Sequence, residues 1–432
     1  MDTAITDLNP FQARNIIEEM RKGSVPADYV PLFTVGRGNW LNFIEDDLVN
    51  YIAEGGAKVR FLHGGYGDGK THFMSVIRHI GMQQGFAVSF VVLTRDVPIH
   101  KFEAVYQSIV QQLQGDFPGI GIRSLLNSWL SSLAEKDTVP ERDEILNLAE
   151  TLRNLPEMNV NFANGLIALV KNRFSPLEEG ELQEERTESR ETLFRWFEGG
   201  KVTKRELKPF SVFEVVNKAN SKQILNSLNS FLRFYGHKGI ILLLDELETV
   251  LSQAKSIRNA AYENVRLLID NTEHAAYFHI FFAIIPEVLL SEKGFKSYDA
   301  LWSRVRSIGQ QQDQRLNYRG VLVDLHRTPL KSEELITLGQ SLRQIHQISY
   351  RWDAAAAVSD KLLLTLCANQ KKMGLLSEVR LFVKQVIRLL DMAEQAEGED
   401  VLGSLDLDEH IISSQQEMEQ EKVEQLQPSW DQ

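Results

Sequence analysis

Apolar positions recur at helical spacing from Pro10 to Lys22 (Phe11, Ile16, Ile17, Met20), and Gly23 and Pro26 close the segment, which predicts a short amphipathic helix and a turn. Leu32–Gly38 follows as an irregular stretch, and a helical pattern then continues through Ile52. Val59–His63 alternates as a strand does, a glycine-rich loop occupies Gly64–Gly69, and helical spacing resumes from Lys70 to about Gln83 before a second strand at Ala87–Leu93. Strand, glycine loop, helix and strand in that order predict a βαβ unit and hence a parallel sheet. From Ile99 to about Phe234 the pattern is mainly helical, with a charge-rich piece at Glu178–Glu191 carrying seven acids and two arginines that reads as an exposed linker or solvated helix face. Gly239–Leu244 is apolar on both faces, as a central parallel strand is, and His279–Ile285 and Val321–Leu325 are further strand candidates. Beyond Pro329 the pattern is helical at Ser332–Ile345, Ala354–Cys367 and Ser377–Met392, and from Ala393 onward Glu and Gln dominate, which predicts a frayed or disordered tail.

Charge changes this picture only at the end of the chain. The 432 residues carry a formal charge of −12. Of 47 Lys and Arg and 59 Asp and Glu, one and thirteen lie in 391–432, so the preceding residues hold 46 of each. A neutral body excludes a globally basic nucleic-acid binder, while a local basic face stays open. One cysteine, Cys367, rules out an intrachain disulfide or a cysteine-rich zinc site and suits a reducing cytosol. The start Met1-Asp2-Thr3 is unlike a secretory signal, and the apolar runs near Ile240–Leu244 and Ile280–Pro286 fall short of the ~20 residues a bilayer requires, so a cytoplasmic protein without a membrane span is expected.

The chemistry concentrates in Gly64-Gly65-Tyr66-Gly67-Asp68-Gly69-Lys70-Thr71, which fits G-x-x-x-x-G-K-[ST] at each fixed position between a strand and a helix. The glycines allow successive N–H groups to face phosphate oxygens, and the helix opened by Lys70 adds the positive end of its dipole. In that arrangement Lys70 meets the β- and γ-phosphates of ATP, and the Thr71 hydroxyl meets Mg²⁺. The strand Ile240–Leu244 then delivers Asp245 and Glu246 to a carboxyl edge, Asp245 to hold Mg²⁺ through water and Glu246 to orient or deprotonate the attacking water. Glu248 is either part of this group or an acid favoured by a helix N-terminus. Lys70 and Asp245 lie 175 positions apart, far more than one strand and helix need, so an inserted subdomain is expected.

Thr34-Val35-Gly36-Arg37, the segment Gly65–His72 and Leu242–Glu248 together resemble the ATP-binding proteins of BREX phage-defence systems, the BrxD type, and more broadly the origin-recognition-type AAA+ ATPases. Asn9–Pro26 and Leu193–Gly199 are similar to that family too, so the resemblance extends to about residue 392. It implies an α/β P-loop NTPase of AAA+ type: a parallel sheet core, a large helical insertion and a C-terminal helical lid. The expected segments are an N-terminal helical arm (1–30), a first part of the core (31–98), the insertion (99–234), a second part of the core (235–328), the lid (329–392) and the acidic tail (393–432).

The resemblance also implies that Val35, Gly36 and Arg37 lie beside the adenine, with His72 closing the phosphate segment. It implies that Arg304 or Arg306 reaches a nucleotide, often across a subunit interface in an oligomer, and that Arg380 is a lid arginine sensing the phosphate state. ATP, Mg²⁺, defence-system partners such as a helicase or methyltransferase, and double-stranded DNA follow as expected ligands and partners. Two features depart from the pattern. Pro286-Glu287 stands where many AAA+ proteins present a polar residue, and no winged-helix-like segment follows the lid. DNA contact is left to two local candidates: Trp196 with Lys201, Lys204, Arg205 and Lys208, and the run Arg304, Arg306, Arg315 and Arg319. Both runs read equally as solvated or paired surface charge, and His63 and His72 as local packing.

Overall fold

A computed structural model describes residues 4–134, 142–176, 182–271, 276–305, 316–375, 378–396 and 406–426. Its elements run α1 (Pro10–Arg21), α2 (Gly38–Asp47), β1 (Ala57–His63), α3 (Lys70–Gln83), β2 (Ala87–Val92), α4 (Phe102–Gln111), β3 (Leu113–Gln114), α5 (Ile122–Ala134), α6 (Arg142–Arg153) and α7 (Val160–Phe174). After these come α8 (Gln183–Phe197), α9 (Lys204–Leu207), α10 (Ser221–Phe234), β4 (Ile240–Asp245), α11 (Lys255–Asn271), β5 (Phe278–Ile284), α12 (Pro286–Leu290), α13 (Asp299–Val305) and β6 (Leu322–Asp324). The chain closes with α14 (Ser332–Tyr350), α15 (Ala354–Ala357), α16 (Asp360–Lys372), α17 (Val379–Gln395) and α18 (Leu407–Leu426). Among the described residues no helix is long and apolar enough to cross a membrane.

The strands form one sheet in the order β3-β2-β4-β5-β1-β6. β4 lies parallel to both neighbours, with Ile241 opposite Val88 on β2 and His279 on β5. All of Ile240–Asp245 is buried, which accounts for its unbroken apolar run. The edge strand β3 runs antiparallel to β2, pairing Leu113 with Ser89; two residues leave no periodicity to read, and the sequence analysis did not anticipate it.

The chain folds as two compact units. The larger takes Phe43–Leu62 and Arg78–Val323, so it contains most of the sheet and the helices α4–α13. Aromatic side chains fill its helical part: Trp129 meets Phe231 edge-on, and Phe197 meets both Phe162 and Trp196. The Tyr106 hydroxyl donates to the Phe197 carbonyl at 2.9 Å, which joins α4 to the end of α8. The smaller unit takes Met1–Asn42, His63–Ile77 and Asp324–Gln432. There α1 packs on α14 and α17, and α16 packs on α14.

Three expectations need revision. The predicted helix over Ala354–Cys367 is two helices, because Ser359 caps a new start by accepting from the Leu362 N–H at 3.3 Å. The acidic tail is helical over Leu407–Leu426, and α18 packs on α16 and α17 with His410, Ile411 and Ser414 buried. These residues and an Asn369–Asp408 hydrogen bond hold a helix that composition alone assigns to disorder. Trp196 is buried too, with its indole N–H donating to the Glu214 carbonyl at 2.8 Å, so it offers no exposed aromatic face.

His279 of β5 is wholly buried against Phe281, and neither ring nitrogen bonds a protein group. Burial, helped by the Arg60 and Lys58 charges, holds this imidazole well below its usual range, so it is neutral in the folded chain. The unfolded chain takes up this proton below about pH 6.5, and folding stability therefore falls with pH there by up to about 1.4 kcal/mol per unit. His279→Leu is expected to flatten the loss between pH 7 and 5.5 in urea unfolding, and an unchanged slope would assign the loss to other groups.

Candidate nucleotide-binding site

In the smaller unit, His63 ends β1, Lys70 opens α3, and Gly64–Gly69 turn between them. Gly67 (φ 85°) and Gly69 (φ 83°) occupy the left-handed region, which a side chain would resist. The Lys70 ammonium donates to the carbonyls of Gly64 at 3.0 Å and Gly65 at 2.9 Å, and lies 5.5 Å from the centroid of the half-exposed Tyr66 ring. The Asp68 carboxylate accepts the Gly65 N–H at 2.6 Å and has the exposed His326 ring at 3.6 Å. Thr71 is exposed in the first turn of α3.

Several side chains brace this loop from behind. The Arg37 guanidinium donates to the Asp68 carbonyl at 2.7 Å and to the Thr328 carbonyl at 3.4 Å, while the Trp40 indole donates to the Thr328 hydroxyl at 3.1 Å. Desolvation pulls Arg37 down to about 10, with the Asp68 and Glu334 carboxylates opposing, so it stays a cation at neutral pH. Burial raises the Asp324 carboxyl, but hydrogen bonds from His63 and the Arg327 N–H outweigh it and hold Asp324 below the usual range. His72 is pulled down to about 4 by burial and by Arg37, and its ring lies 3.1 Å from the Thr34 hydroxyl and against Phe33. Thr34 donates its own proton to the Val30 carbonyl, so His72 Nε2 carries the hydrogen in that contact. From α17, the Arg380 backbone N–H donates to the Gly67 carbonyl at 3.3 Å, and its guanidinium lies against Gly23.

The larger unit contains the acids. β4 ends on the buried Asp245, whose carboxylate accepts the Glu246 N–H at 2.9 Å. Glu246 is exposed and takes φ 60°, a left-handed conformation that is costly for any residue with a Cβ. Glu248 lies in the 3-10 helix Leu247–Ser252 that follows. β5 leads through Ile285 to Pro286, the first residue of α12. Arg304 grips both oxygens of Asp270 and donates to the Ala300 carbonyl at 2.6 Å. Arg319 pairs with Asp46 at 2.8 Å and lies over Phe43. Lys201, Lys204, Arg205 and Lys208 are exposed, whereas Arg306 and Arg315 lie outside the described residues.

Among the described residues no group of three or more His, Cys, Asp or Glu could hold a metal. Mg²⁺ bound with a nucleotide keeps water and phosphate oxygens and takes only one or two protein groups; the Thr71 hydroxyl and the Asp245 carboxylate are each an oxygen donor of the kind it accepts.

The model of the family described as BREX system ATP-binding protein BrxC/D matches residues 8–408. The chain belongs to that family of phage-defence ATP-binding proteins. Comparison with curated proteins and with solved structures yields no match. In this BREX family member, Gly64–Thr71, Arg37, His72 and Arg380 come together in the smaller unit, while Asp245, Glu246 and Arg304 are in the larger. Sequence reasoning missed the connector Asp324–Thr328 and Trp40, which surround the phosphate loop; the polar run Asp324-Leu325-His326-Arg327-Thr328 after a short strand was the available signal.

A glycine at 246 removes a left-handed penalty of about 1–2 kcal/mol and returns about 0.4–1 kcal/mol through the freer unfolded chain. Glu246→Gly is therefore expected to raise the unfolding free energy by up to about 1.6 kcal/mol; a clear loss would show that the Glu246 side chain repays its own strain.

Proposed function

We propose that this protein binds ATP with Mg²⁺ and hydrolyses it as an AAA+ type ATPase. The observation that carries the reading is the Gly64–Thr71 loop at the start of α3, with the Lys70 ammonium turned onto the loop's own carbonyls. In this reading Lys70 exchanges those carbonyls for β- and γ-phosphate oxygens, and Thr71 and Asp245 hold Mg²⁺. Water attacks the γ-phosphorus, its proton passes to the Glu246 carboxylate, and the bond to the β,γ-bridging oxygen breaks to release ADP and phosphate. Val35 and Gly36 line the adenine side, and Arg380 reports the phosphate state from a lid formed by 329–392. Arg304 or Arg306 serves a neighbouring copy in a homo-oligomer, which requires Arg304 to leave Asp270.

The cycle drives assembly of a cytoplasmic defence complex on foreign double-stranded DNA, together with a partner such as a helicase or methyltransferase. The exposed Lys201, Lys204, Arg205 and Lys208 supply phosphate contacts. Pro286, which brings no polar side chain to the end of β5, favours a second reading: a nucleotide-gated scaffold that binds ATP, turns it over slowly and recruits an effector.

Titration with ATP and steady-state phosphate release, with and without duplex DNA, separate the two. Lys70→Ala is expected to abolish ATP binding, and retained affinity removes the phosphate-loop assignment. Glu246→Gln is expected to keep ATP affinity while turnover falls by about 10²–10⁴-fold. Tight binding without turnover in the unaltered chain selects the scaffold, and turnover indifferent to duplex DNA removes DNA from the cycle.

A further inference from the structure

Arg37 occupies a position that breaks local rules. It precedes Gly38 as the cap of α2, with its carbonyl accepting the Leu41 N–H at 3.3 Å, yet arginine has no side-chain oxygen to cap with. Gly36 (φ 68°) and Arg37 (φ 56°) are also consecutive left-handed residues, and Arg37 pays the Cβ penalty. At Gly36 an added Cβ would meet the tips of the Leu330 and Glu334 side chains. A strained, poorly capping cation survives where it does something else.

Its hydrogen bonds indicate what that is. In a trans peptide the C=O and the following N–H point in opposite directions. The Arg37 guanidinium holds the Asp68 carbonyl at 2.7 Å and lies beside Gly69, so it sets the plane of the Asp68–Gly69 peptide and turns the Gly69 N–H to the opposite face of the loop. The same guanidinium holds the Thr328 carbonyl at 3.4 Å, four residues before α14 begins. Neither contact involves a group that distinguishes one base from another.

We propose that Arg37 is a positioning residue for the phosphate loop, orienting the Gly69 N–H toward the polyphosphate and tying the loop to the lid connector at Thr328, so that it governs triphosphate affinity without reading the base. The inference rests on the proposed nucleotide function and differs from the adenine-side role that the family resemblance implies. Calorimetric titration of the full chain with ATP, GTP and inorganic tripolyphosphate tests it, comparing Arg37→Gln, Arg37→Lys and Lys70→Ala, with thermal melting as a check on folding. Arg37→Gln is expected to weaken ATP and GTP by one common factor of about tenfold or more, leaving their ratio unchanged, and to weaken any tripolyphosphate binding alike. Arg37→Lys, which can reach one carbonyl but not both, is expected to recover part of the loss. A collapse of the ATP-to-GTP ratio with unaltered tripolyphosphate binding overturns the inference in favour of base reading, as does unchanged affinity for all ligands. Should Arg37→Gln fail to fold, the Arg37→Lys ratio and affinity decide. Wild-type ATP affinity in Lys70→Ala is a different failure, since it removes the nucleotide reading itself.

Discussion

A backbone that turns its N–H groups toward a phosphate must turn the carbonyls of the same peptides away, and each of those carbonyls needs a donor. In the smaller unit four carbonyls of the Gly64–Gly69 loop have one. Lys70 answers Gly64 and Gly65, Arg37 answers Asp68, and the Arg380 N–H answers Gly67. The donors come from Lys70, which follows the loop directly, from the segment before α2 and from the first turn of α17, so the six-residue loop draws on two distant parts of the chain as well as on its own neighbour. Two of the donors are charged, and charge-assisted bonds are roughly twice as strong as neutral ones, which suits a loop too rich in glycine to hold its own shape.

A second polar junction holds the other end of α17. Trp352 donates to His346 Nδ1 at 2.9 Å, so the proton is on Nε2, which donates to Asp391 at 3.0 Å. Arg21 adds a two-pronged bond to the same carboxylate and reaches the Tyr350 hydroxyl. Burial pushes the Asp391 carboxyl up, but the bonds from His346 and Arg21 prevail and keep it low, and Asp391 in turn holds the Arg21 guanidinium more firmly protonated. This junction joins α1, α14 and α17. Arg380 and Asp391 share one helix and are separated along its axis by roughly 16 Å, so fixing the Asp391 end restrains where the Arg380 end can point. The N-terminal helix α1 is thereby tied to α14 and α17.

In the larger unit the controlling contrast is between a wholly apolar strand and the acids it ends on. β4 is buried along its length between two parallel neighbours, so its backbone has little freedom until Glu246, where the chain leaves the sheet in a left-handed conformation. Strain at the first residue past a rigid strand is the pattern expected where a side chain must be aimed. The arginines show the opposite economy: Arg304 and Arg319 are each committed to acids of their own unit, and a surface guanidinium in such a pair contributes little to stability.

The strands β1, β2, β4, β5 and β6, the glycine loop and the helix after it were legible in the sequence because their signals are local. A continuous apolar run needs burial on both faces, and G-x-x-x-x-G-K-[ST] encodes one backbone path through residue types that permit it. The docking of α18 was not legible, since a short patch of His410, Ile411 and Ser414 among Glu and Gln has meaning only once α16 and α17 present a surface to receive it. Nor were the contacts of Arg37, whose hydrogen bonds reach Asp68 and Thr328, 31 and 291 positions away. The amino-acid sequence by itself determined which residues can cradle a phosphate, because that depends on glycine, lysine and strand periodicity over a few neighbours. Tertiary structure alone decided which distant donors hold the cradle open, because a carbonyl's partner is chosen by where the folded chain returns and not by the residue types beside it.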